Sequence, residues 1–81
     1  MSELSPQKLT DTPMGARARV LEFVERTPYS AQLERLGLVA GTEFQVVRRA
    51  PLGDPIEIRL RGYSLAIRPH EAGALSVQII E

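Results

Sequence analysis

Ile56-Glu57-Ile58-Arg59-Leu60-Arg61-Gly62-Tyr63-Ser64-Leu65-Ala66-Ile67 is the stretch that decides how this chain folds. Ile56, Ile58 and Leu60 alternate with Glu57, Arg59 and Arg61, the period-two pattern of a strand with one apolar and one charged face. Gly62 supplies a tight turn. Tyr63, Leu65 and Ile67 then alternate with Ser64, Ala66 and Arg68 as the returning arm of a hairpin. One face of this hairpin is apolar and needs cover, which the flanking segments must provide.

Before it, Ala50-Pro51-Leu52-Gly53-Asp54-Pro55 cannot continue a ladder, because its prolines lack donors and Gly53-Asp54 favours a turn. Thr42 to Arg49 reads as a strand with Phe44 and Val46 on one face and Glu43, Gln45 and Val47 on the other. Further upstream, Thr27 is a helix-capping residue before Pro28, and Leu33 and Leu36 share one face of the short helix that follows. Gly37 ends that helix in a left-handed conformation. Leu38 then falls where a Schellman motif folds an apolar side chain back onto Leu33.

Ala16 to Val24 reads as the first strand, with Ala16, Ala18 and Val20 in one parity and Leu21 and Phe23 in the other, a change that predicts a bulge or burial on both sides. After the hairpin, Pro69-His70-Glu71-Ala72 reads as one helical turn, and Leu75, Val77 and Ile79 as a last strand. The fold class is therefore mainly β, a small SH3-like barrel of about five strands, with one short helix between the first two strands. Met1 to Lys8 reads as a loosely held tail and residues 9–81 as one domain.

Composition sets the bounds. Eighty-one residues hold one small core. Ten Lys and Arg balance ten Asp and Glu, so no net charge draws the chain to phosphate backbones or anionic lipid. There is no cysteine, which excludes disulfides and thiolate chemistry and fits a reducing compartment. No apolar run reaches the length of a membrane span or signal-peptide core, so a cytoplasmic location and no membrane insertion are expected. Marginal stability at this size makes weak homo-oligomerisation plausible.

The chain offers little for catalysis. His70 is the single histidine and reads as a turn residue; the carboxylates are scattered, so neither a metal site nor a cofactor site is expected within one chain. The sole lysine is Lys8, and no phosphate-binding loop is present. Arg48, Arg49, Arg59, Arg61 and Arg68 form a local basic cluster on adjacent strands. Phe23 and Phe44 occupy core-like positions and give no stacking platform, so these arginines are expected to pair with Glu43 and Glu57 rather than with nucleic acid.

Leu33 to Gly41, with its L-x-x-L-G-L and turn glycine, and VVRRAPLGDPIEIRLRGYSLAIRPHEA from Val46 to Ala72 together resemble the FeoA family of ferrous iron transport accessory proteins. Ala40 departs from the proline that the family commonly carries before Gly41. The resemblance implies a non-catalytic cytoplasmic SH3-like domain whose partner is the FeoB membrane permease with its cytoplasmic GTPase domain. The alternatives are a stand-alone relative of the C-terminal SH3-like domain of DtxR-type metal-dependent repressors, or a small nucleic-acid-binding barrel. The candidate partner-binding residues are Leu52 and Asp54 in the proline-flanked loop, Tyr63 on the hairpin, and Leu38 and Arg35 at the helix end. Leu52 is the apolar tip of that loop and is costly to expose without a partner.

Overall fold

In a computed structural model of the chain, residues 7–51, 55–68 and 75–80 are described. They form β1 (Gln7–Lys8), a 3-10 turn (Leu9–Asp11), β2 (Arg17–Phe23), α1 (Pro28–Arg35), β3 (Glu43–Arg49), β4 (Ile56–Leu60), β5 (Tyr63–Ile67) and β6 (Leu75–Ile79). The strands make one antiparallel sheet in the order β1-β6-β2-β3-β4-β5. The order is linear: among the described residues β1 and β5 do not pair, so the sheet is not closed. It has six strands where the sequence suggested about five.

The extra strand comes from the end of the expected tail. Gln7 and Lys8 pair with Val77 and Ser76, and Leu9 is fully buried just after them. Two strand residues are too few to show a period, which is why the tail's end concealed them. The predicted turn at Pro69–Ala72, and with it His70, lies outside the described residues.

The hairpin that anchored the sequence reading forms with Leu60 opposite Tyr63 and two residues between them. Arg61 and Gly62 both have positive φ, 50° and 87°, the backbone of a type I′ turn that matches the right-handed twist of its strands. Ile56, Ile58, Leu60 and Ile67 point inward and are buried. They meet Val20, Val46 and Val77 from the other strands, with Leu33 and Leu38 from the helix and its exit.

The sheet bends at two bulges. The parity change in β2 is one of them: the register with β6 slips between Val20 and Glu22, so Leu21 is the extra residue. A second slip, between Val46 and Arg48 opposite β4, leaves Val47 unpaired and exposed. The alternation in β3 had given no sign of it.

Thr27 and Ser30 form a reciprocal capping box before and within α1. The Ser30 amide donates to Thr27 Oγ1 at 3.0 Å and the Thr27 amide donates to Ser30 Oγ at 2.9 Å. Arg26 adds a two-pronged ion pair to Glu34 at 2.9 and 3.1 Å. At the other end the Leu38 amide donates to the Leu33 carbonyl and the Gly37 amide to the Glu34 carbonyl, both at 3.0 Å. That is the Schellman motif expected, with Gly37 at φ 111°. Leu36 departs from expectation. It sits at the C-cap, where the helix ends, so its side chain leaves the Leu33 face and stands in solvent.

The arginines are used differently from the expected scheme. Arg48 does reach Glu57, at 3.7 Å. Glu43, however, pairs with Arg19 at 2.8 Å and Arg17 at 3.4 Å on β2, because the β2–β3 register sets Arg19 opposite Glu43. Arg49 instead reaches the carbonyls of Thr10 and Thr12, pinning the N-terminal 3-10 turn to β3.

The hydrogen bond from Arg19 holds the Glu43 carboxyl below the ordinary carboxylate range against the opposing effect of desolvation, with the charges of Arg19 and Arg17 adding to it. A carboxyl with a depressed folded-state pKa stabilises the fold above its unfolded pKa, and this contribution is lost as pH falls through the folded value. The difference in melting temperature between wild type and Glu43→Gln is therefore expected to be largest near neutral pH and to shrink on acidification below about pH 4. A difference that stays constant across an acid melting series would contradict the pairing.

Candidate functional site: the corner after the helix

The end of α1, the turn to β3 and the start of β5 converge around Gly37. The Tyr63 hydroxyl donates to the Leu36 carbonyl, one of the acceptors a helix leaves open at its C-terminus. Thr42 closes the turn from beneath: its hydroxyl donates to the Gly37 carbonyl at 3.0 Å and accepts from the Val39 amide at 3.3 Å. Main-chain bonds from Gly41 to Val20 and from Val20 to Thr42, both 2.8 Å, lock the turn to β2. The corner is rigid because its polar groups are paired; among the described residues no buried side-chain polar atom lacks a partner.

What this frame presents outward is apolar. Leu36 is 44% exposed, Val39 43% and Tyr63 40%, all ringed about Gly37. Single exposed apolar residues are ordinary, but three on one fixed corner form a surface suited to contact. Arg35, in the last turn of α1, is exposed beside them and gives the corner a positive charge. Met14 and Val24 are also exposed, but they sit on the turn before β2 and just after its end.

The structure thus brings together two of the five residues proposed from sequence, Arg35 and Tyr63. Leu38 must be removed: it is fully buried, held by its Schellman bond against Leu33, and no partner can touch it without unfolding the helix end. Leu52 and Asp54 lie outside the described residues. Leu36 and Val39 were missed. The available signal was the cap position of Leu36, since the residue directly before a C-terminal glycine no longer follows the helical face.

Among the described residues, no three His, Cys, Asp or Glu side chains converge to hold a metal ion. The corner offers hydrogen-bonded backbone, apolar surface and one guanidinium.

A small bent antiparallel sheet with one helix and a rigid apolar corner defines a compact β-domain of the SH3-like class. The FeoA domain model matches residues 7–79, and the chain belongs to the FeoA domain family. It is similar in structure to the FeoA protein of Chlorobium tepidum, at 39% identity and a TM-score of 0.85 over 93% of this chain and 71% of that one. It also resembles the zinc-complexed FeoA of Stenotrophomonas maltophilia, at 26% identity and a TM-score of 0.71 over 89% of each chain. That protein is described as a prokaryotic SH3 domain protein with a suggested part in activating ferrous iron transport. A Porphyromonas gingivalis protein that fuses Fe(2+) transport protein A to the Fe(2+) transporter FeoB is 27% identical over 73 residues, 90% of this chain. The chain spans only 9% of that fusion's length.

Proposed function

We propose that this chain is an accessory domain of ferrous iron transport that acts by protein contact on a FeoB-type membrane permease. The observation that carries the reading is the fusion of a similar domain to FeoB in one polypeptide, which keeps the two at high effective concentration. The exposed corner supports it, because a rigid apolar surface beside a cation is what a contact module needs. Catalysis is no part of this reading.

Among the described residues no helix is long and apolar enough to cross a membrane. In this proposal the domain works on the cytoplasmic side, held at the inner membrane by its partner. The contact set is Leu36, Val39, Tyr63 and Arg35, with Leu52 and Asp54 added from their place in the loop sequence.

Leu36→Gln combined with Val39→Gln is expected to melt close to wild type, since surface changes usually stay within about 0.5 kcal/mol each. A desolvated apolar contact commonly contributes about 2 kcal/mol, so ferrous iron uptake should fall markedly in a strain where this variant replaces the chain. Uptake equal to wild type, with equal protein levels, would remove the corner from the contact surface.

A further inference from the structure

The sheet's two edges are unlike. Among the described residues β1 is only two residues long. β5 is five residues long and reads Tyr-Ser-Leu-Ala-Ile, with no proline, no charge and no break in its register with β4. The strand itself thus lacks the proline, charge and bulge that commonly blunt an edge.

The hairpin geometry fixes which groups this edge presents. Leu60 and Tyr63 flank a two-residue turn and form a hydrogen-bonded pair, so Leu65 and Ile67 likewise bond to β4. The amides and carbonyls of Ser64 and Ala66 therefore point away from β4. Arg68 has the same parity, and its amide does point outward: it donates to the Tyr29 hydroxyl at 3.1 Å.

Helix α1 is thus tied to both ends of β5, through Tyr63 to Leu36 and through Arg68 to Tyr29. Between the ties, Ser64 and Ala66 are exposed and their outward main-chain groups have no hydrogen-bond partner among the described residues.

The flanking charges select the occupant. Arg61 precedes the strand and Arg68 follows it, both exposed and neither in an ion pair among the described residues. A second copy pairing antiparallel along β5 would set Arg61 of one chain beside Arg68 of the other at both ends, a doubled repulsion. An uncharged extended segment with an acidic residue at each end meets both arginines instead.

We infer that the Ser64–Ala66 edge is a strand-addition site for such an extended, acid-flanked segment of the permease partner, an inference that rests on the contact function proposed above. Main-chain bonds to Ser64 and Ala66 would align the segment while the neighbouring corner supplies apolar contact.

Hydrogen exchange of the chain, alone and with the full-length permease in nanodiscs, tests it. The Ser64 and Ala66 amides are expected to exchange freely alone and to slow at least about tenfold in the complex. Ala66→Pro removes an outward amide that the β4 ladder does not use, so it should fold and bind about tenfold more weakly. Arg61→Glu with Arg68→Glu, which leaves the strand intact, should weaken binding similarly and give a reversed salt dependence.

Binding with Ser64 and Ala66 exchanging as in the free chain, or unaffected by both variants, overturns the strand-addition site and leaves the contact function standing. Absence of wild-type binding defeats the contact function and this inference together. Protection of the two amides in the chain alone, appearing with concentration, would make a second copy the occupant and overturn the assignment to the permease.

Discussion

Ile58→Asp is expected to unfold the domain at room temperature. Ile58 is fully buried at the middle of β4, opposite Val46 on one side and Leu65 on the other. Truncating a large aliphatic side chain in such a place costs about 2–5 kcal/mol. The carboxylate adds a desolvation penalty of several kcal/mol, or forces its own protonation at similar cost. A domain of this size is stable by only about 5–10 kcal/mol, so the sum is of the order of the whole. Far-ultraviolet circular dichroism of the variant should show a largely unfolded chain. Melting like wild type would mean that Ile58 does not face the core, and the register of the whole hairpin would be wrong.

Gly37→Ala is expected to cost about 2–3 kcal/mol, or a loss of about 10–20 °C in melting temperature. Two causes combine. The residue sits at φ 111°, where an L side chain is strained whatever space surrounds it. A Cβ there would also collide with the Tyr63 hydroxyl, which occupies that position to reach the Leu36 carbonyl. Tyr63→Phe alone should cost about 1 kcal/mol, the worth of one hydrogen bond. Because that change also clears the space above Gly37, the double variant should lose about 1 kcal/mol less than the sum of the two single changes. Strict additivity in thermal or urea melts would show that Tyr63 does not pack over Gly37.

Much of this was readable in the sequence because local chemistry and tertiary structure agree there. Thr27-Pro28 starts the helix and Gly37-Leu38 ends it with bonds that involve only neighbouring residues. The strict alternation of Ile56 to Ile67 leaves one register for the hairpin. The β2 bulge showed as a change of parity at Leu21. The bulge at Val47 did not show, because Val46 and Val47 read equally well in an unbroken strand and only the β4 register distinguishes them. Pairing of Gln7 and Lys8 with β6 joins residues some seventy positions apart, and a two-residue strand has no pattern of its own.

The candidate site was harder to read. Tyr63 and Arg35, two of the residues offered for contact, lie together at the exposed corner, whereas Leu38, offered with them although its Schellman position already folded it toward Leu33, is fully buried. Leu36 was placed on the Leu33 face because helical spacing was extended one residue past the point where the helix holds. Both errors concern the same turn, and both are resolved by Gly37.

Titration of the purified chain into the full-length FeoB-type permease in nanodiscs, followed by calorimetry, reads the proposed contact itself. Saturable one-to-one binding is expected, weakened about thirtyfold by Leu36→Gln with Val39→Gln, the equivalent of about 2 kcal/mol, while the variant melts as wild type does. No heat of binding for the wild-type chain, or the same affinity for the variant, would contradict it.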